Sequence, residues 1–357
     1  MQIDTGSADL GIPAWGCNSC ITHDDKRYVP KQSETAIPIT CADGAAMNLT
    51  CSPCHYHKQC AMTISYEDNS GFSADLWKDK VSFESTNSAA TTAVVAGLYK
   101  DHRKNPMQPK MIDGIIGLAY HTVSSANTMT PLDYLVQDHS SSIDDVFALC
   151  LDSKSGGKLL IGSPNSDPYY KSMKNIQWAN LLKKTYYPVN MTAFYVGKQR
   201  VNVAPSVYTR GDAIVDSGST DITLPREAFD SFRDLMVQQC KKGKGLIGIC
   251  QDEQGRKIQP GRGLFAGLCY TMSDKDIQSF PTLHVRLSDD ISLPIVPSMY
   301  IRSGASYCDD LNQVGIAIDS GAVADGTLLG DVFMQGYLTM FDRKHDKIGF
   351  APAGDYC

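Results

Sequence analysis

Positive charge is in short supply in this chain: 33 Lys and Arg stand against 39 Asp and Glu, a formal net charge of -6. Binding phosphate needs an excess of cations, so the balance argues against a nucleic-acid partner or an anionic membrane surface. Long apolar runs are also missing. No segment approaches the roughly 18 consecutive apolar residues that span a bilayer, so no membrane-spanning segment is expected. Residues 1 to 20 lack the basic-then-apolar pattern of a secretory leader. Charged residues make up 20% of the chain and hydrophobic ones 42%, which leaves no compositional sign of disorder. At 357 residues the chain is long enough for two domains with separate cores.

Cysteine, by contrast, is plentiful. The 12 cysteines are an even number and high for a cytosolic protein, and Asn48-Leu-Thr and Asn190-Met-Thr are acceptor sequons for N-glycosylation. Together they favour an oxidising, secretory-pathway environment. Half of the cysteines (Cys17, Cys20, Cys41, Cys51, Cys54 and Cys60) fall within 44 residues. Two readings compete there. Cys17-x-x-Cys20 and Cys51-x-x-Cys54, with His23, His55 and His57 nearby, have zinc-ribbon spacing. A disulfide-stapled loop accounts for the same residues together with the even count and the secretory signs, and is preferred; the pairing is left open.

The sequence is organised around a stretch that occurs twice. Ile214-Val-Asp-Ser-Gly-Ser-Thr-Asp-Ile-Thr-Leu-Pro225, moved back by 212 positions, lies over Gln2-Ile-Asp-Thr-Gly-Ser-Ala-Asp-Leu-Gly-Ile-Pro13. Asp4/Asp216, Gly6/Gly218, Ser7/Ser219, Asp9/Asp221 and Pro13/Pro225 are identical. In each copy an apolar pair runs into an acid, then a small hydroxyl residue and a glycine, the pattern of a buried strand ending in a tight turn that presents a carboxylate. Two such turns could bring two carboxylates face to face.

Asp-Thr/Ser-Gly-Ser/Thr repeated half a chain apart resembles the pepsin-like aspartic peptidases, family A1, whose shared-proton carboxylate pair is a standard example of coupled titration. The resemblance extends further. Ile112-Asp-Gly-Ile-Ile-Gly-Leu118 and Thr327-Leu-Leu-Gly330 match the apolar-apolar-Gly element that threads through each catalytic turn in that family. Asp4 precedes Gly117 by 113 positions and Asp216 precedes Gly330 by 114, so the repeat covers whole lobes. Gly330 to Pro352 resembles the last strands of pepsins. A cysteine-rich insertion before a Cys60-to-Tyr66 spacing of six resembles nepenthesin-type and plasmepsin V-like members.

The resemblance implies an all-β, bilobal, double-β-barrel fold with a few short helices and a cleft between two homologous lobes. The lobes are expected over 1–168 and 169–357, with the insertion at 17–60 and a flap hairpin at 61–83. It implies an aspartic endopeptidase in which Asp4 and Asp216 activate a water. Ser7 and Ser219 would bond the outer carboxylate oxygens, Thr5 and Ser217 would form a hydroxyl grip across the lobes, Gly6 and Gly218 would shape the turns, and Tyr66 would be the flap tyrosine. It implies a polypeptide substrate, no cofactor and a monomer. Pepsin-like enzymes have a propeptide and further strands ahead of the first Asp, so the sequence is expected to begin inside a longer protein. The competing reading is an inactive binding or inhibitor protein on the same fold; both Asp residues and both glycines stand against it.

Three departures from the family matter. Gly11 stands where many members have a Trp that contacts the flap tyrosine, and Trp15 is read as ordinary packing before it is read as a substitute. Glu67 replaces the usual Gly after that tyrosine, and Gln2 puts an amide near a normally apolar pocket. Elsewhere the patterns predict strands at Thr92–Gly97, Ile176–Trp178, Tyr186–Val189 and Phe194–Val196, with Phe147–Leu151 and Lys158–Ile161 closing the first lobe. A short helix is expected from Pro131, and Pro225–Met236 places Phe229, Phe232, Leu235 and Met236 on one apolar helical face. Cys269 with Cys308 corresponds to a disulfide often seen in the family's second lobe; Cys240/Cys250 and Cys150/Cys357 are further pairings. Asp101-His-Arg-Lys104 reads as a solvated charge run.

Overall fold

Alternating apolar and polar residues set out most of the strands, and the computed structural model describes all of the chain except residues 21–26, 55–57, 67–68, 84–89, 103–112, 139–142, 153–155, 163–175, 260, 289, 304–307, 309, 311, 322–325 and 354–357. The architecture is all-β with a few short helices, and the chain falls into two compact units. The first is made of Met1–Asp145 with Ile161–Ser163 and Lys184–Tyr186; the second takes the rest.

In the first unit, strands β1 (Gln2–Asp4), β2 (Leu10–Pro13), β3 (Ile37–Pro38), β4 (Ala61–Ser65), β5 (Gly71–Ser82), β6 (Ala90–Asp101) and β7 (Ile115–Gly117) form one sheet. Its order is β1-β7-β2-β6-β5-β3, with β4 paired to β5. The alternation in β5 puts Phe72, Ala74 and Leu76 into a core shared with Met62, Ile64, Val94 and Ala96. The expected strand at Thr92–Gly97 is the centre of β6, which runs twelve residues against β5. The helix Pro131–Gln137 forms with Thr130 and Asp133 in a capping box, each side chain bonding the other's backbone N–H.

The cysteine-rich segment is stapled by Cys17–Cys20, Cys41–Cys54 and Cys51–Cys60. All six sulfurs are thus bonded to one another, which overturns the zinc-ribbon reading of that spacing; His23, His55 and His57 lie outside the described residues. The chain beyond the first disulfide is tied down by Asp79 of β5. This buried carboxylate accepts from Tyr28 Oη (2.8 Å), Ser33 Oγ (2.9 Å), Thr35 Oγ1 and the Lys80 N–H (2.8 Å). Burial alone would raise its pKa, but the four donors outweigh it and hold the carboxyl below its ordinary range.

The second unit holds β8 (Val146–Cys150), β9 (Lys158–Ile161), β10 (Gln177–Asn180), β11 (Met191–Val196), β12 (Gln199–Arg200), β13 (Ala213–Val215), β14 (Ile222–Leu224), β15 (Leu283–Leu287), β16 (Ser292–Ile295), β17 (Ile301–Arg302), β18 (Gly315–Ile316), β19 (Ile318–Ser320), β20 (Thr327–Leu329), β21 (Tyr337–Asp342) and β22 (Lys347–Pro352). They form sheets ordered β10-β22-β21-β8-β9, β12-β11-β15-β16 and β13-β20-β14-β19, with a β17-β18 pair. The strands expected to close the first lobe, β8 and β9, instead join the sheet of β21 and β22, with Phe147 stacked on Phe341 at 4.5 Å. All five residues of β8 are buried, as a continuous apolar run in a central strand requires. No strand forms at Tyr186–Val189. Tyr187, fully buried, has a φ of 57°, and a left-handed residue cannot continue a β-strand.

The helix after Pro225 runs Arg226–Lys241 and buries Ala228, Phe229, Phe232 and Met236, with Leu235 half-buried at the edge of the stripe. Phe232 meets Phe194 of β11 edge-on at 5.7 Å. Cys240–Cys250 and Cys269–Cys308 are bonded as expected. Cys150 is disulfide-bonded, and its expected partner Cys357 lies outside the described residues.

Candidate active site

The first turn is held from three sides. β1 runs parallel to β7 with Asp4 opposite Gly117, and β2 returns antiparallel to the same strand with Leu10 opposite Ile116. The Asp4 carboxylate accepts the Gly6 N–H on Oδ1 at 2.7 Å and the Ser7 hydroxyl on Oδ2 at 2.6 Å. Leu118 N–H donates to Asp4 O (2.8 Å) and Ala119 N–H to Ser7 O (2.9 Å), so the chain leaving β7 closes the turn from outside. Asp4, Thr5 and Ser7 are all buried. A carboxylate with a donor on each oxygen has its plane fixed, which general acid or base work requires.

Gly117 is there because nothing larger fits. A Cβ at this position would lie 2.6 Å from Ala8 C and Asp9 N. The sequence pattern did not announce Asp9, whose buried carboxylate accepts Ser124 Oγ (2.6 Å), Thr128 Oγ1 (2.9 Å) and Ser125 N–H (3.0 Å). Asp9 thereby ties the turn to the segment leading into the helix Pro131–Gln137. Its appearance in both repeat copies was the available signal.

The second turn repeats the first. β13 runs parallel to β20, and β14 returns antiparallel to it. Gly218 N–H donates to Asp216 Oδ1 at 2.8 Å and Ser219 Oγ to Oδ2 at 2.5 Å. Asp216 N–H reaches Leu329 O (3.1 Å), while Asp331 N–H and Val332 N–H bond Ser219 O and Thr220 O (2.8 and 3.0 Å). A Cβ on Gly330 would lie 2.5 Å from both Asp221 O and Ser219 O. Asp216 and Ser217 are buried.

The hairpin expected at 61–83 is β4 and β5, with Ser65 opposite Gly71. Tyr66 sits at its turn, half-buried; its N–H donates to Ser70 O (2.8 Å) and its O accepts the N–H of Asn69 (3.0 Å), itself at a φ of 62°. Glu67 lies outside the described residues. The space a larger residue at 11 would need is filled by Phe72, whose Cζ would stand 2.8 Å from a Cβ on Gly11. Phe72 also meets Tyr66 at 6.3 Å between ring centroids. Tyr66 is therefore supported by a ring from its own hairpin. Trp15 neither substitutes for that ring nor packs in the core: it is 75% exposed. Gln2 is half-buried in β1, its N–H donating to Gly114 O (2.9 Å).

Among the described residues no group of three or more His, Cys, Asp or Glu is placed to hold a metal ion. No helix among them is long and apolar enough to cross a membrane.

Known proteins resemble the chain over nearly its whole length. The sequence model described as "Eukaryotic aspartyl protease" matches residues 1–353. Aspartic proteinase 36 of Arabidopsis thaliana is 25% identical over 368 residues, covering 98% of this chain and 70% of that protein. Pepsin B of Canis lupus familiaris is 24% identical over 98% of this chain and 76% of its own length, and gastricsin of Cavia porcellus 26% over 98% and 75%. The family match runs through both Asp-hydroxyl-Gly-Ser turns and both threading glycines, and the chain belongs to the eukaryotic aspartyl proteases of the pepsin family.

Proposed function

We propose that the protein is an aspartic endopeptidase that hydrolyses polypeptides through a water held by Asp4 and Asp216. The observation that carries this reading is the equivalence of the two turns: each Asp takes a glycine N–H on Oδ1 and a serine hydroxyl on Oδ2, with distances agreeing within 0.1 Å. Hydrolysing an amide without a metal or a nucleophilic side chain needs one group to take a proton from water and another to give one to the carbonyl oxygen or leaving nitrogen. Like charges a few ångströms apart do not both ionise, so a facing pair shares one proton. The ionised member deprotonates the water, the protonated member donates, and the roles exchange as the products leave.

In this reading Thr5 and Ser217 grip each other across the two lobes, Gly6 and Gly218 allow the turns, and Tyr66 covers the bound peptide and excludes water. The enzyme works as a monomer with no cofactor and no nucleic-acid partner. The stapled insertion supports a nepenthesin-type or plasmepsin V-like subtype, and the disulfides support a secretory-pathway location. Asn48 and Asn190 are both exposed, as glycosylation of the two sequons requires.

The test is incubation of the processed protein with a peptide library from pH 3 to 7, with and without pepstatin. Pepstatin-sensitive cleavage that disappears in Asp216→Asn is expected. No cleavage anywhere in the range sinks the proposal and leaves the binding-protein reading.

A further inference from the structure

We propose that His102 is a positioning residue for the hairpin that carries Tyr66, and that the disulfide loop Cys17–Cys20 holds His102 in place. The inference rests on Tyr66 being the flap residue of a peptidase. A hairpin whose turn is to keep Tyr66 over a bound polypeptide needs its strands held right up to that turn, and two strands alone are marginally stable. The turn-proximal end of β4 and β5, where Ser65 faces Gly71, is held by a third strand. β6 ends its ladder with β5 at the Phe72–Asp101 pair, and His102 continues beyond it. His102 N–H donates to Gly71 O at 2.9 Å. Its Nε2 shares a hydrogen bond of 2.8 Å with Ser73 Oγ. Ser73 Oγ in turn shares one of 3.0 Å with Thr63 Oγ1, directly opposite on β4. The His102 side chain thus joins the ends of three strands through a serine that is only 6% exposed and that the Tyr99 hydroxyl of β6 also reaches.

Strand geometry carries this to Tyr66. Gly71 and Ser73 lie on one face of β5 and Phe72 on the other. Fixing the two flanking residues fixes Phe72, whose ring fills the space over Gly11 and meets Tyr66. With glycine at position 11, the support of Tyr66 passes to Phe72, and the support of Phe72 to His102.

His102 is held from the opposite side. Asp101 N–H donates to Ser19 Oγ at 2.8 Å, and Ser19 lies inside the Cys17–Cys20 loop. Arg27 clamps that loop, donating from Nη1 to Cys17 O (2.8 Å) and from Nη2 to Cys20 O (3.2 Å). The first two members of what reads in sequence as a solvated charge run, Asp101 and His102, are therefore structural contacts; Arg103 and Lys104 lie outside the described residues. The start of the cysteine-rich insertion thus braces the hairpin from outside.

The experiment compares wild type, His102→Ala, His102→Gln and Ser19→Ala, all disulfide-intact, by amide hydrogen exchange and by hydrolysis of one peptide substrate. Exchange in peptides covering 61–76 should rise roughly tenfold in His102→Ala, the size of one net hydrogen bond. Glutamine, which both donates and accepts, should bring it back to within about threefold, and Ser19→Ala should fall between. The helix Arg226–Lys241 should exchange as in wild type. In an active enzyme kcat/KM should fall about tenfold in His102→Ala, and glutamine should restore it. The proposal is overturned by exchange at 61–76 within about twofold of wild type, by an equal rise across the chain, or by faster exchange with unchanged kcat/KM. If His102→Ala does not fold, Ser19→Ala, altered on an exposed loop, decides alone by the same exchange readout. A wild type that cleaves nothing defeats the peptidase reading, yet exchange still reports whether His102 holds the hairpin.

Discussion

The two catalytic-type turns are alike in every bond that orients their carboxylates and unlike in what the chain does next. Both sit in sheets of the same order, β1-β7-β2-β6 and β13-β20-β14-β19, with the fourth strand parallel to the third in each. Seven residues past the Asp, Gly11 makes room for Phe72, whereas Thr223 donates its hydroxyl to Asp319 Oδ1 at 2.8 Å. After Pro225 comes a 16-residue helix held by an apolar stripe. After Pro13 comes irregular chain held by disulfides and by the Asp79 carboxylate. A short motif that supplies its own hydrogen bonds is locally determined and survives any flank. The flanks can then be held by different forces.

The sharpest break of this comparison is in the chemistry. Asp4→Asn and Asp216→Asn should each lower kcat/KM by about three orders of magnitude or more, and the double variant should be scarcely worse, because paired groups act as a unit. Losses that multiply would mean that the two carboxylates work independently. Thermal midpoints should stay close to wild type, since asparagine can keep its oxygen on the Gly6 or Gly218 N–H and donate its amide to the Ser7 or Ser219 hydroxyl, which can accept.

Next in size are the threading glycines. Gly117→Ala and Gly330→Ala place a methyl 2.6 and 2.5 Å from backbone atoms that cannot turn away. Each should cost about 2–3 kcal/mol by the penalty for overpacking, read as a lowered unfolding midpoint. A large difference between them would show that only one turn is tightly threaded. Gly156→Ala, with no atom within 4 Å, measures the cost of positive φ alone.

The flanks part company with pH. Asp79 has a folded-state pKa below the ordinary carboxylate value of about 3.9, so its contribution is present above that pH and is lost as pH falls through the folded pKa. Asp79→Asn should cost about 1–2 kcal/mol at pH 7 and less near pH 3. A truncation in the Arg226–Lys241 stripe should carry no such pH dependence, since burial of apolar surface involves no proton.

The sequence made most of this legible where a pattern is local. The Asp-hydroxyl-Gly-Ser turn, the hairpin around Tyr66, the helix from Pro225 and the Cys269–Cys308 bond all follow from short spacing or from the family resemblance. What stayed hidden is long-range. Ser73 and His102 are 29 residues apart, Asp9 and Thr128 119 apart, and no periodicity links them. Tyr187 looked like a strand residue because apolar neighbours say nothing of a left-handed backbone. That Phe72 fills the space beside Gly11 could be read only once the two were seen packed against each other.

The smallest predicted effect tests the one difference inside the turns themselves. Thr5 is fully buried and Ser217 is 5% exposed, so both hydroxyls are sheltered and the repeats differ there by a single methyl. Ser217→Thr adds that methyl in a site which, if the turns are equivalent in packing as well as hydrogen bonding, has a matching space. The change should then be worth less than about 1 kcal/mol in either direction, and kcat/KM should stay within about threefold. Thr5→Ser removes a buried methyl and should destabilise by about 0.5–1 kcal/mol. Exchanging the two residues in one variant keeps the total volume and both hydroxyls, so it should behave like wild type if the side chains pack against each other as the proposed grip requires. If each packs against its own turn, the swap should instead equal the sum of the two single changes.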